Sequence, residues 1–143
     1  MDDIEIVQLD DYGKQRIAVM CLPGLESFLP AIVDHLSKTY SVKTCYSRDM
    51  NEITKAIDWC DIVFLEWMNE MAISTTNQIP AMTEKKVIIR CHSYEVFLNY
   101  AQQIRWSNVD VLLFVCNHIK SIVLKQIPKL PEMVDIHIVP NGV

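Results

Sequence analysis

A chain of 143 residues, half of them hydrophobic and 22% charged, is long enough for one buried core and too apolar for a disordered tail. Its net charge of -5, with Lys and Arg scattered along the chain, gives no electrostatic case for nucleic acid as a partner. No apolar run approaches the ~18 residues a membrane-spanning helix needs, and a start bearing Asp2, Asp3, Glu5, Asp10 and Asp11 is the opposite of a basic signal peptide.

Residues 1–15 read as an acidic arm, with a turn at Asp10-Asp11-Tyr12-Gly13 and room for a short edge strand at Ile4 to Leu9. The domain proper spans 16–143. Its first apolar run, Ile17 to Leu22, leads through Pro23-Gly24 into the helical spacing of Leu25, Phe28, Leu29, Ile32, Val33 and Leu36. Val42 to Tyr46 predicts a second strand. Asp49 or Asn51 can then cap a helix running to Trp59. Asp61 to Glu66 is the third strand, with a helix expected over Trp67 to Gln78. A fourth strand, Lys86 to Cys91, precedes a helix capped by Ser93 with apolar positions Val96, Phe97, Tyr100, Ala101 and Ile104. Asp110 to Val115, a helix capped by Asn117, and a last strand at Asp135 to Val139 complete the alternation.

About six strands alternating with helices, and no hairpin signal, predict an α/β fold: a Rossmann-like open parallel sheet with helices on both faces, three layers α/β/α. With the strand order 3-2-1-4-5-6, the fourth strand lies beside the first and a crevice opens between their carboxyl ends. The five cysteines are an odd number with no C-x-x-C pair. They read as small core residues in a reducing compartment, hence cytoplasmic. A zinc set of Cys91, His92, Cys116 and His118 can be drawn, but adjacent strand residues point to opposite faces.

The sequence excludes the common nucleotide grips. One glycine, Gly24, stands where a dinucleotide fold wants G-x-G-x-x-G, and no Gly-Lys-Ser/Thr loop is present. A phosphoacceptor receiver domain would need acidic residues where Leu22-Pro23 stand, an aspartate in place of Glu66 and a lysine in place of Cys116.

What remains is the strand end Arg90-Cys91-His92-Ser93-Tyr94-Glu95. Alternation puts Arg90 and His92 on one side. His92, alone no more than a capping or surface histidine, gains a functional reading from its place at the sheet's carboxyl edge. Arg90 can balance Glu66 or a ligand's charge, since a buried arginine without a partner is costly. Glu95 either favours a helix start or binds hydroxyls. Trp67, Met68 and Met71 line either a core or an acceptor pocket, and the Gly24-Leu25 turn is either a tight connection or a backbone that a ligand's polar groups approach. His118 also lies at this edge. His35 and His137 read as ordinary surface positions. Lys120, Lys125 and Lys129 fall on a candidate amphipathic helix, either a solvated face or a contact for an anionic membrane.

Three pieces, Arg90 to Glu95, Trp106 to Val115, and Ile138-Val139-Pro140-Asn141-Gly142-Val143, resemble in order and spacing the amino-terminal half of family 4 glycosyltransferases. The resemblance spans about residues 16 to 143. It implies the acceptor-side domain of a retaining transferase of the two-domain B fold. Such an enzyme uses a nucleotide-diphosphate sugar as donor substrate with no separate cofactor or metal. The partners implied are that donor, a carbohydrate or other acceptor, and a carboxyl-terminal donor domain of the same chain, without which these residues are expected to be inactive. By the same carry-over His92 is catalytic beside the transferred sugar and Gly24 and Leu25 lie near the donor phosphates. Two departures are visible: Pro23-Gly24-Leu25 replaces paired glycines, and Glu66 replaces a frequent histidine. The alternatives from other classes are a stand-alone Rossmann-like binding module and half of a sugar-nucleotide epimerase.

Overall fold

The computed structural model describes residues 13–141. The expected strand at Ile4 to Leu9, most of the acidic arm and the final Gly142-Val143 lie outside the described residues. Eleven elements follow in order: β1 (Arg16–Met20), α1 (Leu29–Leu36), β2 (Ser41–Cys45), α2 (Met50–Trp59), β3 (Ile62–Glu66), α3 (Glu70–Gln78), β4 (Lys86–Cys91), β5 (Val111–Phe114), α4 (Asn117–Gln126), α5 (Leu130–Met133) and β6 (Asp135–Ile138). Short 3₁₀ turns fill the remaining connections at Pro80–Glu84, Tyr94–Phe97, Ala101–Gln103 and Trp106–Asn108.

The strands form a six-stranded sheet in the order β2-β1-β3-β4-β5-β6, with helices on both faces: a three-layer, Rossmann-like α/β/α fold. The pairings β1/β2, β4/β5 and β5/β6 are parallel. This order corrects the expected 3-2-1-4-5-6. β3 lies between β1 and β4, so the crevice anticipated between the first and fourth strands is not formed by neighbouring strands. Both orders satisfy the same alternation of strand and helix, and periodicity cannot choose between them. Among the described residues no helix is long and apolar enough to cross a membrane.

Two compact units divide the chain, Met1–Phe64 and Leu65–Val143. In the first, the backbones of Arg16 and Ser41 begin the β1/β2 register. The Arg16 N–H also donates to Asp61 Oδ2 at 3.0 Å while the Asp61 N–H donates back to the Arg16 carbonyl at 2.9 Å. α1 starts at Leu29 rather than Leu25, because Pro30 lacks an N–H and fits only a helix's first turn. α2 begins where expected, with Asp49 accepting from the Asn51 N–H at 2.9 Å.

In the second unit Val87, Ile89, Cys91, Leu112 and Phe114 are wholly buried, each apolar side chain of this size contributing about 1.5–3 kcal/mol. α3 starts at Glu70, three residues later than expected, with Asn69 accepting from the Met71 N–H. The helix expected after Ser93 does not form. Ser93 makes no capping bond, and the path to β5 is three 3₁₀ turns. Side-chain bonds stand in for the helical ladder there: Asn77 Nδ2 donates to the Gln103 carbonyl, Asn108 Nδ2 to the Thr76 carbonyl, and, within the segment, Trp106 Nε1 to the Ala101 carbonyl. Asn117 is likewise the first residue of α4 and not its cap, a place held by Cys116 without a side-chain bond.

Candidate functional site at the carboxyl edge of the second unit

The fourth strand delivers its polar end as alternation predicts. Arg90 and His92 share a side, and both meet Glu66, the last residue of β3. Arg90 Nε donates to Glu66 Oε1 at 2.8 Å and Nη2 to Oε2 at 2.9 Å, the bidentate fork that makes arginine–carboxylate pairs strong. Arg90 Nη1 donates to Asn141 Oδ1 at 3.0 Å, so the residue after Pro140 belongs to the same network. The Glu66 side chain is completely inaccessible to solvent.

His92 Nε2 lies 3.0 Å from Glu66 Oε1. A carboxylate only accepts, so Nε2 carries a proton, and in the neutral ring Nδ1 is therefore the lone-pair nitrogen. Glu66 thus fixes both the orientation and the tautomer of the imidazole. Burial alone would raise the Glu66 carboxyl, but hydrogen bonds from Arg90 and His92, together with their charge, hold it below the usual carboxylate range. The unfolded chain therefore takes up this proton first on acidification. The contribution of Glu66 to stability is fully present at neutral pH. It is lost as pH falls below the ordinary carboxylate range and through the lowered value. Urea midpoints between pH 7 and pH 3 are expected to fall in that direction for the wild type and less steeply for Glu66→Gln.

Trp67 covers the histidine. Its ring centroid is 3.9 Å from that of His92 at 32°, and 5.4 Å from that of Tyr94. Trp67 is also the one non-glycine among the described residues with a positive φ, 79°, a conformation that costs a bulky residue about 1–3 kcal/mol. Such strain persists where surrounding contacts over-determine it, and it gathers at functional sites. His92 is only 3% exposed, whereas Tyr94 is 38% exposed. The imidazole is thus shielded from solvent, while the Tyr94 ring beside Trp67 is open to it.

Glu95 has a different task from the ones expected. Fully buried, it accepts from the Met68 N–H at 3.0 Å, the His92 N–H at 2.9 Å and the Ser93 N–H at 2.8 Å. Both oxygens are therefore engaged by backbone donors, binding the turn after β3 to the turn after β4. Ser93 is exposed and supplies only its backbone N–H to this arrangement. Of the residues anticipated here, Glu66, Trp67, Arg90, His92 and Glu95 are brought together. The sequence reading missed Asn141 as a partner of Arg90, although it stands in the very motif that ends the chain.

Gly24 and Leu25 belong to the first unit. Gly24 has a φ of 91°, which suits glycine alone, and a Cβ there would meet nothing within 4 Å. Its N–H already donates to Glu26 Oε1 at 2.6 Å, so an anionic ligand would have to displace a carboxylate of its own sign. A shallow cavity of about 420 Å³ in the same unit is lined by Lys43, Cys45, Glu52, Lys55 and Trp59 among others, and by none of the residues expected to form the site.

The cysteines separate by burial. Cys21, Cys60 and Cys91 are buried, Cys45 is half-buried, and Cys116, expected in the core, is exposed at the start of α4. Burial, then the nearby Glu95 carboxylate, pushes the Cys91 thiol far up. Native protein treated with a thiol reagent at neutral pH is expected to be labelled first at Cys116, since reactivity needs access and thiolate. Comparable labelling of Cys91 by peptide mass spectrometry would contradict this packing. No group of three or more His, Cys, Asp or Glu residues among those described is arranged to hold a metal ion.

No protein-family model, curated protein or solved structure matches the chain. The class defined by fold is thus a Rossmann-like α/β domain.

Proposed function

We propose that the chain is a Rossmann-like binding module whose ligand meets the carboxyl edge of the second unit, with Trp67 and Tyr94 as its outer wall and His92 as its polar floor. The observation that carries this reading is the left-handed Trp67, stacked on an imidazole whose tautomer Glu66 fixes. An oriented histidine of this kind suits a ligand hydroxyl, and an indole face suits a flat or apolar ring. The test is isothermal titration calorimetry with nucleotides, nucleoside diphosphate sugars and free sugars. Trp67→Gly keeps the backbone conformation available while removing the wall, so it should abolish the heat of binding, with circular dichroism confirming that the variant is folded. An unaltered binding curve in that variant would remove this edge from ligand contact.

A second reading, the acceptor-side half of a sugar transferase, draws support from the Arg90–Asn141 bond, which joins two of the three motifs behind the resemblance. In that reading His92 serves the transferred sugar, Gly24 and Leu25 serve the donor, and Glu66, Arg90, Ser93 and Glu95 shape the acceptor side. A nucleotide-sugar donor, an acceptor and a following donor domain are then required. Product analysis of a chain extended beyond Val143 separates it from an epimerase half, which needs no acceptor. Without sugar transfer by such a chain, the transferase reading falls and the binding module stands.

A further inference from the structure

The strand order ends at β6, which has β5 on one side and, among the described residues, no strand on the other. The Asp135 N–H donates to the Asp110 carbonyl at 3.0 Å and the Val139 N–H to the Phe114 carbonyl at 2.8 Å, so the backbones of Asp135, His137 and Val139 face β5. By alternation the N–H and C=O groups of Ile136 and Ile138 face outward. Their side chains stay half-buried, although Leu112 and Phe114, which they pair with in β5, are wholly buried. Asp135 and His137 project from the opposite face and are exposed. The other edge strand, β2, carries exposed Lys43, a residue type that blunts an edge, whereas β6 has neither lysine nor proline between Asp135 and Val139.

We propose that β6 pairs antiparallel with β6 of a second copy of this chain, about a two-fold axis through Ile136. In that register the two Ile136 backbones exchange both of their outward bonds. Asp135 then lies opposite the second copy's His137, and His137 opposite the second copy's Asp135. Directly opposed side chains share a face with Cβ atoms ~4.5–5.5 Å apart, so an imidazole N–H reaches a carboxylate, twice by symmetry. Neighbouring axes lack this match. An axis through Asp135 sets two carboxylates together; one through His137 leaves Asp135 against Val139; one through Ile138 brings Pro140, which has no N–H, opposite Ile136. Asp135 shares a shallow recess with Asp110 and Glu132, and Lys129 opens the turn that carries Glu132. Three carboxylates near one ammonium favour an incoming donor and oppose a further acid. A single strand edge falls short of the ~800 Å² per partner of a tight interface, so the association is reversible and concentration-dependent. The contact uses none of the residues of the ligand site.

The test is sedimentation equilibrium of the whole chain from low micromolar to near-millimolar loading, with circular dichroism confirming that each variant is folded. Wild-type protein should follow a monomer–dimer equilibrium that stops at two, since an isologous contact closes on itself. His137→Glu should weaken the dimer by about tenfold or more, because like charges then face each other in both pairs. Asp135→Lys/His137→Glu should restore it, because lysine then faces glutamate in both. Ile136→Pro removes an outward N–H and none that faces β5, and should leave a folded monomer. Should the proline variant fail to fold, the two exposed charge variants decide the matter. A wild type that stays monomeric throughout, growth beyond the dimer, dimerisation unchanged by His137→Glu, or a folded charge-swapped variant that remains monomeric would each overturn the proposal.

Discussion

Replacing Glu66 with alanine is expected to cost about 3–5 kcal/mol of folding stability, because it removes the carboxylate that neutralises buried Arg90 and accepts from His92. The loss comes from the charge left behind rather than from any large net benefit of the pair itself, since two ions taken from water recover little more than their desolvation. Glu66→Gln is expected to recover only part, because its amide turns a donor toward donors. Urea denaturation of the three proteins at pH 7 is the measurement. An alanine variant within about 1 kcal/mol of wild type would mean that the network relaxes or admits water, and the fixed tautomer of His92 would lose its basis.

Glu95→Ala is the second large expectation. Three backbone donors, on Met68, His92 and Ser93, lose their acceptor together. With each unsatisfied buried donor costing about 1–3 kcal/mol, a loss of at least about 3 kcal/mol is expected, short of the simple sum because the three share one carboxylate. Hydrogen exchange distinguishes this from general loosening. The amides of Met68, His92 and Ser93 should lose protection beyond the global change, whereas that of Ile89, within β4, should follow global stability. Uniform loss across β4 would show that Glu95 supports the whole sheet and not the two turns.

The strands were legible because buried parallel strands read as unbroken apolar runs, and β3, β4 and β5 were each anticipated to within a residue or so. The pairing of Arg90 with Glu66 was legible too, as the economical answer to a buried guanidinium. Three features were not. Strand order depends on which face each crossover takes, and nothing in the spacing of Ile17 to Cys91 encodes it. The helix after Ser93 had the right apolar spacing at Val96, Phe97 and Tyr100, but Glu95 turned inward to bind backbone, and side chains from α3 and from the segment itself claimed carbonyls there. The strained Trp67 left no trace at all, because a positive φ is visible in sequence only when a glycine or asparagine marks it.

The connection from β4 to β5 has a consequence for how the chain assembles. An α-helical crossover can begin forming on its own, from contacts four residues apart. The path from Tyr94 to Asn108 has only short, separate turns of that kind, and is tied down as well by Asn77, Thr76 and Gln126, between 26 and 32 residues away in sequence. Closing such loops comes at an entropic cost before any bond rewards it. This segment is therefore expected to gain amide protection after α3 and α4 when refolding is followed by pulsed hydrogen exchange. Until then the nascent β4 and β5 must find each other without a preformed bridge between them.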